Sequence, residues 1–245
     1  MTLSCDQPAP GALASSTTMH AVYQPQHDSA LLIDALRASR SAPGARAADL
    51  CTGSGVVALE TARLGAASVL AIDSCTNAVA SAALRCQGSP VTVVHGELGE
   101  LAEHGTFDLV TCNPPYVPTP VEADRIVECA GPRHAWDAGP DGRSVLDPLC
   151  ASAAGFLNPG GTLLIVQSEF ADATASVAAL RRGRLKAAVV QRRSIPFGPV
   201  MTARAEWLEQ IGLLEPGRRS EELVVIRADR PAAPSTSASA SDERR

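Results

Sequence analysis

Apolar runs at residues 45–50, 68–72, 91–94 and 107–112 are spaced so that Ala-rich segments of helical periodicity, 55–64 and 75–87, fill the gaps between the first three. Strands joined this way run parallel, because each crossover helix carries the chain back to the same starting edge. The alternation continues downstream. A helix is predicted at 144–157, stopped by Asn158-Pro159-Gly160-Gly161, then a buried strand at 162–168, a helix near 170–182, a strand near 185–193, a helix near 200–211 and a strand at 222–228. A further helix, 28–40, precedes the first strand with Asp28 or Ser29 as its N-cap. These elements add up to an α/β fold, a Rossmann-like, seven-stranded, mostly parallel sheet.

One such core uses most of the 245 residues, and it is expected at 21–228. The leader, 1–20, and the tail, 229–245, are rich in Pro, Ala, Ser and Thr, so both are expected to be disordered. No apolar run approaches the ~18 residues needed to span a bilayer, and the leader lacks the charged and apolar regions of a secretory signal. Seven Cys with no C-x-x-C pair fit reduced thiols in a cytoplasmic protein. Five His without i, i+4 pairing give no reason to expect a metal. The net charge of −5 makes nucleic acid an unfavoured partner. The one basic cluster, Arg181 to Lys186 with Arg192 and Arg193, reads as a solvated surface.

The stretch 113–143 holds six Pro and no periodicity, so it reads as a long irregular loop at the carboxyl end of a strand, where open α/β sheets bind their ligands. Three further elements converge on that edge. Asp49-Leu50-Cys51-Thr52-Gly53-Ser54-Gly55 is a small-residue turn between strand and helix, suited to a nucleotide-like ligand or to a purely structural crossing; the dinucleotide spacing G-x-G-x-x-G is not met. Asp73 ends the second strand, where it could hold a ribose or cap the next helix. Glu97 follows the third strand, near an adenine edge or simply in solvent. After the fourth strand comes Asn113-Pro114-Pro115-Tyr116. Consecutive prolines remove donors and leave carbonyls free, so an Asn amide oxygen beside one of them offers two acceptors to a planar NH₂ group, with Tyr116 to stack on it.

With these residues in place, the chain resembles the class I S-adenosylmethionine-dependent methyltransferases of the HemK/PrmC-like NPPY group, and within it the eukaryotic and archaeal branch that methylates release-factor glutamine. The resemblance also rests on Y-Q-P-Q-H-D-S (23–29), I-D (72–73), N-P-P-Y-V-P (113–118) and A-W-D-A-G-P-D-G-R-S-V-L-D (135–147), and it covers roughly 20–228. It implies the class I methyltransferase fold, S-adenosyl-L-methionine as cofactor and a protein glutamine as acceptor. It implies that Ser29, Asp49, Cys51, Gly53, Gly55, Asp73, Glu97, Leu98 and Asn113 line the cofactor site, with Asp49 toward the ammonium, Asp73 on the ribose, and Glu97 and Leu98 at the adenine edge. Asn113, Pro114, Pro115 and Tyr116 would form the catalytic motif, and Trp136 to Gly142 would shape the acceptor pocket. The branch works with a small zinc-binding activator that adds to the sheet edge, and a peptide-chain release factor is the implied substrate. Two departures stand out. Only about 20 residues precede Tyr23, leaving no room for the helical domain of the bacterial enzymes. Cys51 replaces the first Gly of the turn, which is tolerable with a negative φ. Methylation of a nucleic-acid base of the adenine type or of a small-molecule amine would use the same NH₂ geometry, and an inactive binding module would need none of it.

Overall fold

The computed structural model describes Val22 and residues 24–120 and 133–233. The strands are β1 (Arg46–Leu50), β2 (Ser68–Asp73), β3 (Val91–His95), β4 (Phe107–Cys112), β5 (Leu157–Ser168), β6 (Lys186–Pro196) and β7 (Ser220–Asp229). They join in one sheet, ordered β3-β2-β1-β4-β5-β7-β6. The first five are parallel, and β7 runs antiparallel to both β5 and β6. The helices are α1 (His27–Ser39), α2 (Val56–Arg63), α3 (Thr76–Arg85), α4 (Leu146–Phe156), α5 (Ala173–Arg182) and α6 (Pro199–Gln210).

Strand β5 explains the layering. Leu163 to Val166 are all fully buried, the continuous apolar run of a strand covered on both faces. Successive side chains point to opposite faces. Leu163 and Ile165 therefore pack with Leu146, Leu149 and Phe156 of α4 and Leu180 of α5, while Leu164 and Val166 pack with Leu31, Leu32 and Leu36 of α1 and with Val57 of α2. Each fully buried Leu contributes about 1.5–3 kcal/mol of apolar burial. The first helix thus rests on the last strands, and Arg193 of β6 pairs with Asp34 of α1 at 2.8 Å.

Several boundaries differ from the sequence reading. Helix α1 begins at His27 with Gln26 at its N-cap, so Asp28 and Ser29 lie in its first turn and neither is the cap. Pro25 stands just ahead of the cap, where its missing N–H costs no helical hydrogen bond, and the helix starts a residue earlier than the acid suggests. Asn158-Pro159-Gly160-Gly161 does not sit between helix and strand but inside β5, which absorbs it with a register shift against β4. Gly161 is required there, since a Cβ would lie 2.9 Å from the Phe107 carbonyl oxygen. Strand β7 runs through Asp229, and Arg230 exchanges backbone hydrogen bonds with Gly160 and Gly161, carrying the sheet past the boundary at 228. The leader at 1–20, Tyr23 and the end of the tail lie outside the described residues. No helix among the described residues is long and apolar enough to cross a membrane.

Of the loop expected at 113–143, residues 121–132 lie outside the described residues, and the parts on either side are more regular than the composition suggests. Val117 and Asp137 form a parallel bridge, and Thr119 N–H donates to the Gly139 carbonyl at 2.8 Å. Arg143 then fastens the returning chain, donating to Asp147 Oδ1 at 2.6 Å, the Asp172 carbonyl at 2.8 Å and Ser176 Oγ at 3.2 Å. Val117 and Trp136 pack with Phe170 and with Val200, Met201 and Leu208 of α6, a third apolar cluster capping the carboxyl edge of the sheet.

Candidate active site

Beneath that cap lies a cavity of about 990 Å³. Its walls come from the carboxyl ends of β1 to β4, the first turn of α1, the loop after β4, the start of β7 and the link between β6 and α6. All of the residues predicted for the cofactor site and the catalytic motif line it except Gly55, but of Trp136 to Gly142, expected to shape the acceptor pocket, only Trp136 does. Among the described lining residues are five acids, Asp28, Asp49, Asp73, Glu97 and Glu221, and no Lys or Arg.

Asp49 ends β1 nearly and is 2% exposed. Its Oδ2 accepts from Thr52 Oγ1 at 2.7 Å and from the Ala58 N–H at 3.1 Å, and Oδ1 accepts from Thr111 Oγ1 at 2.6 Å. Burial pushes its carboxyl up to about 6 against the pull of those hydrogen bonds, with the Asp73 charge adding to the rise. A cation arriving beside it would reverse that shift. Asp73 spans two turns: Oδ2 accepts from the Gly53 N–H at 2.8 Å and Oδ1 from the Cys75 N–H at 2.9 Å. Glu97 and Glu100 form a reciprocal capping box at the start of the 3-10 helix Leu98–His104, so Glu97 organises its own loop as well as facing the cavity.

The turn itself needs its glycines in different ways. Gly53 has φ +54 and Gly55 has φ +79. A Cβ on Gly55 would stand 3.0 Å from Ala82 Cβ of α3, so Gly55 serves helix packing behind the turn and not the cavity wall. Cys51 has φ +52, which overturns the condition under which a side chain would be free there. A residue with a Cβ in the left-handed region costs roughly 1–2 kcal/mol. Its thiol meets Cys112 at the end of β4, and burial, with that contact added, pushes the Cys112 thiol well up.

Asn113 follows β4 directly. Its Nδ2 donates to Asp28 Oδ2 at 3.1 Å and to Ser29 Oγ at 3.4 Å, and the Tyr116 hydroxyl donates to the same Asp28 oxygen at 3.3 Å. Asp28 Oδ1 accepts from the Ser29 N–H at 2.6 Å. A carboxylate only accepts, so the amide nitrogen of Asn113 must face α1. Asn113 Oδ1 is thereby left for a ligand. Behind Tyr116, Gly142 at φ +72 lets two segments touch, since a Cβ there would lie 2.5 Å from the Tyr116 carbonyl oxygen.

Three contributors escaped the sequence reading. Asp28 looked like a helix cap, and its partners lie 85 and 88 residues away. Glu221 lay just outside the strand expected at 222–228 and was given no role. Ile195 to Met201 carried no expected chemistry, yet every residue of it lines the cavity. The basic cluster stays out of it: Arg181 donates to the Ala187 carbonyl, and Arg192 pairs with Glu222.

Residues 12–131 match the family model of the methyltransferase small domain. That match spans 120 of the chain's 245 residues. The release factor glutamine methyltransferase of Mycolicibacterium smegmatis is 33% identical over 159 residues, 62% of this chain and 56% of that one. A 4-amino-L-phenylalanine/4-methylamino-L-phenylalanine methyltransferase of Streptomyces pristinaespiralis is 35% identical over 139 residues, 55% of this chain and 47% of its length. The chain thus spans about half the length of each of these two relatives. In the E. cuniculi Mtq2-Trm112 complex, responsible for methylation of the eRF1 termination factor, one chain superposes with a TM-score of 0.57 at 22% identity, covering 85% of this chain and 98% of that one. That likeness, with the sheet order, establishes the class I methyltransferase fold.

Proposed function

We propose that this chain is an S-adenosylmethionine-dependent N-methyltransferase acting on a planar NH₂ group, the side-chain amide of a protein glutamine of the release-factor Gly-Gly-Gln type. The observation that carries the reading is the hydrogen bond from Asn113 Nδ2 to Asp28, which commits the amide nitrogen and leaves its oxygen, and the carbonyl of the next residue Pro114, for a ligand in the cavity. Two acceptors there match the two hydrogens of an amide.

The cofactor fits the walls present. S-adenosylmethionine carries a sulfonium and an ammonium and offers hydroxyl and amino donors, which suits five acids unaccompanied by Lys or Arg. A dinucleotide pyrophosphate would meet only repulsion. Asp49 would face the ammonium, Asp73 the ribose, and Glu97 with Leu98 the adenine edge; Ser54 Oγ, buried without a partner, is a further polar contact in that half. When bound, the sulfonium supplies an electrophilic methyl group. The chain's own task is alignment. An amide nitrogen is a poor nucleophile because its lone pair is delocalised into the carbonyl. Asn113 Oδ1 and the Pro114 carbonyl, by accepting both N–H hydrogens, hold the nitrogen in line and favour the positive charge that develops on it. Tyr116, anchored through its hydroxyl to Asp28, braces the same corner.

The relatives named for release factors support a release factor as substrate, and the complex named for its second subunit supports a small partner protein. Strand β3 is the edge for such a partner. Val91 to Val94 carry no charge, whereas the β6 edge holds Lys186, Arg192 and Arg193 and a bulge that discourage pairing.

The test is transfer of labelled methyl to a purified class-1 release factor beside its Gly-Gly-Ala variant, with the partner supplied. Label on the wild-type factor alone supports the reading, and Asn113→Ala should cut turnover by about two orders of magnitude or more while leaving cofactor affinity nearly unchanged. No label despite cofactor binding overturns the protein acceptor. A small aromatic amine is the second reading, favoured by the relative acting on 4-amino-L-phenylalanine; label on that compound and none on the factor would select it.

A further inference from the structure

Of the five acids of the cavity, Asp49, Asp73 and Glu97 are assigned to the cofactor and Asp28 to Asn113, which leaves Glu221 unused. It opens β7, opposite Ile195 of β6, and is 5% exposed. A hydrogen bond joins one side of its carboxyl to Ser168 at the end of β5, while Oε2 is buried without any hydrogen-bond partner. An orphaned buried carboxyl oxygen is costly in a folded protein and is retained where a ligand completes it.

The topology says which ligand. The cofactor acids stand on β1, β2 and β3, all on one side of β4 and its Asn113. Glu221 stands on the other side, with β5 between. Two strand spacings, about 9.6 Å, separate its backbone from that of β4, and both side chains reach into the same cavity. Because β7 runs antiparallel, its first residues sit at the carboxyl edge, level with the ends of β4 and β5.

We infer that Glu221 is a specificity-determining residue for the methyl acceptor: its unpaired oxygen accepts a hydrogen bond from a second N–H of the acceptor, the backbone N–H of the glutamine whose side-chain NH₂ is held at Asn113. The inference rests on the glutamine reading above. It explains why an acid is kept where Asp28 of α1 and Glu169 after β5 already repel it, with Arg218, ahead of β7, the one cation facing it. Those neighbours, added to burial, push its carboxyl up to about 7. Near neutrality it therefore changes from donor to acceptor.

The test measures labelled methyl transfer to the complete release factor by wild type, Glu221→Gln and Glu221→Leu, across pH 5.5–8.5, with cofactor affinity by calorimetry. In wild type, kcat/KM for the acceptor should rise through about pH 7 and level off. Glu221→Gln, which keeps an acceptor oxygen but does not titrate, should flatten that rise and hold KM within about threefold. Glu221→Leu should raise acceptor KM about tenfold or more with cofactor affinity unchanged. If Glu221→Gln keeps the bend near pH 7, or if both variants keep wild-type KM, the inference is overturned while the glutamine reading stands. Loss of cofactor affinity in both variants would overturn it too, by assigning Glu221 to the other half of the cavity. Absence of label with wild type removes the glutamine reading and this inference with it.

Discussion

Replacing Asp28 by Asn should reverse the polarity of the acceptor site without touching Asn113 itself. Asp28 Oδ2 holds the Asn113 nitrogen at 3.1 Å and the Tyr116 hydroxyl at 3.3 Å, while Oδ1 is committed to the Ser29 N–H at 2.6 Å. An Asn in this position keeps its oxygen on the Ser29 N–H, the shorter bond, and turns its own NH₂ toward Asn113. Two amide NH₂ groups then face each other, and Asn113 relieves the conflict by flipping. Its NH₂ now points at the acceptor NH₂. One of two preorganised acceptors is lost and a donor stands in its place, which should cost about 10²–10³ in kcat, or roughly 3–4 kcal/mol. Loss of an acid from the first turn of α1 should cost at most about 1 kcal/mol of stability. Single-turnover methyl transfer measures the first effect and thermal melting the second. A double-mutant cycle gives the sharper result: on an Asn113→Ala background, Asp28→Asn should cost almost nothing further, because its whole effect passes through that side chain. Additive losses, or an Asp28→Asn enzyme within threefold of wild type, would refute the orienting role.

Asp49 makes cofactor binding depend on pH. With its carboxyl raised from 3.8 to about 6 in the free protein, only about one molecule in ten is ionised there at pH 5, so calorimetry should find affinity about tenfold weaker at pH 5 than at pH 8 and flat above 7. Stability of the free protein runs the other way: the raised group favours the protonated fold, so about 3 kcal/mol present below pH 3.8 is lost as pH rises through 6, and Asp49→Asn should flatten both curves. Gly142→Ala forces a Cβ to 2.5 Å from the Tyr116 carbonyl oxygen at φ +72, and melting should show a loss of about 3 kcal/mol together with reduced turnover. Cys51→Gly removes a side chain from φ +52; chemical denaturation should show a change between zero and about 1 kcal/mol of gain, since relief of strain is partly offset by a freer unfolded chain.

The parallel half of the sheet was readable because each strand is an apolar burst and each crossover an Ala-rich helix. That Asp49, Asp73 and Glu97 meet at one edge was readable because they end or follow those strands, within a few residues of a local signal. Asp28 and Glu221 had no such signal. A first-turn acid reads as a cap, and adjacent Glu221 and Glu222 look alike until the strand's alternation buries one and leaves the other paired with Arg192 at the surface. The Ile195–Met201 link is legible only once β7 is known to run antiparallel, which brings the end of β6 to the carboxyl edge. The Asn158 to Gly161 run misled for a local reason: Pro and Gly end a helix equally well whether the next residue is a loop or a bulged strand.

The docking of α1 on β5 and β7 sets the order in which the two halves of the cavity can form. Asp49, Asp73 and Glu97 lie within residues 49–98, on elements close together in the chain. The other half draws on residues far apart: Asp28 stands on α1, and α1 is held down by Leu223 and Val225 of β7, made much later. Until β7 is in place, Asp28 is not held against Asn113, and the direction of that amide is left open.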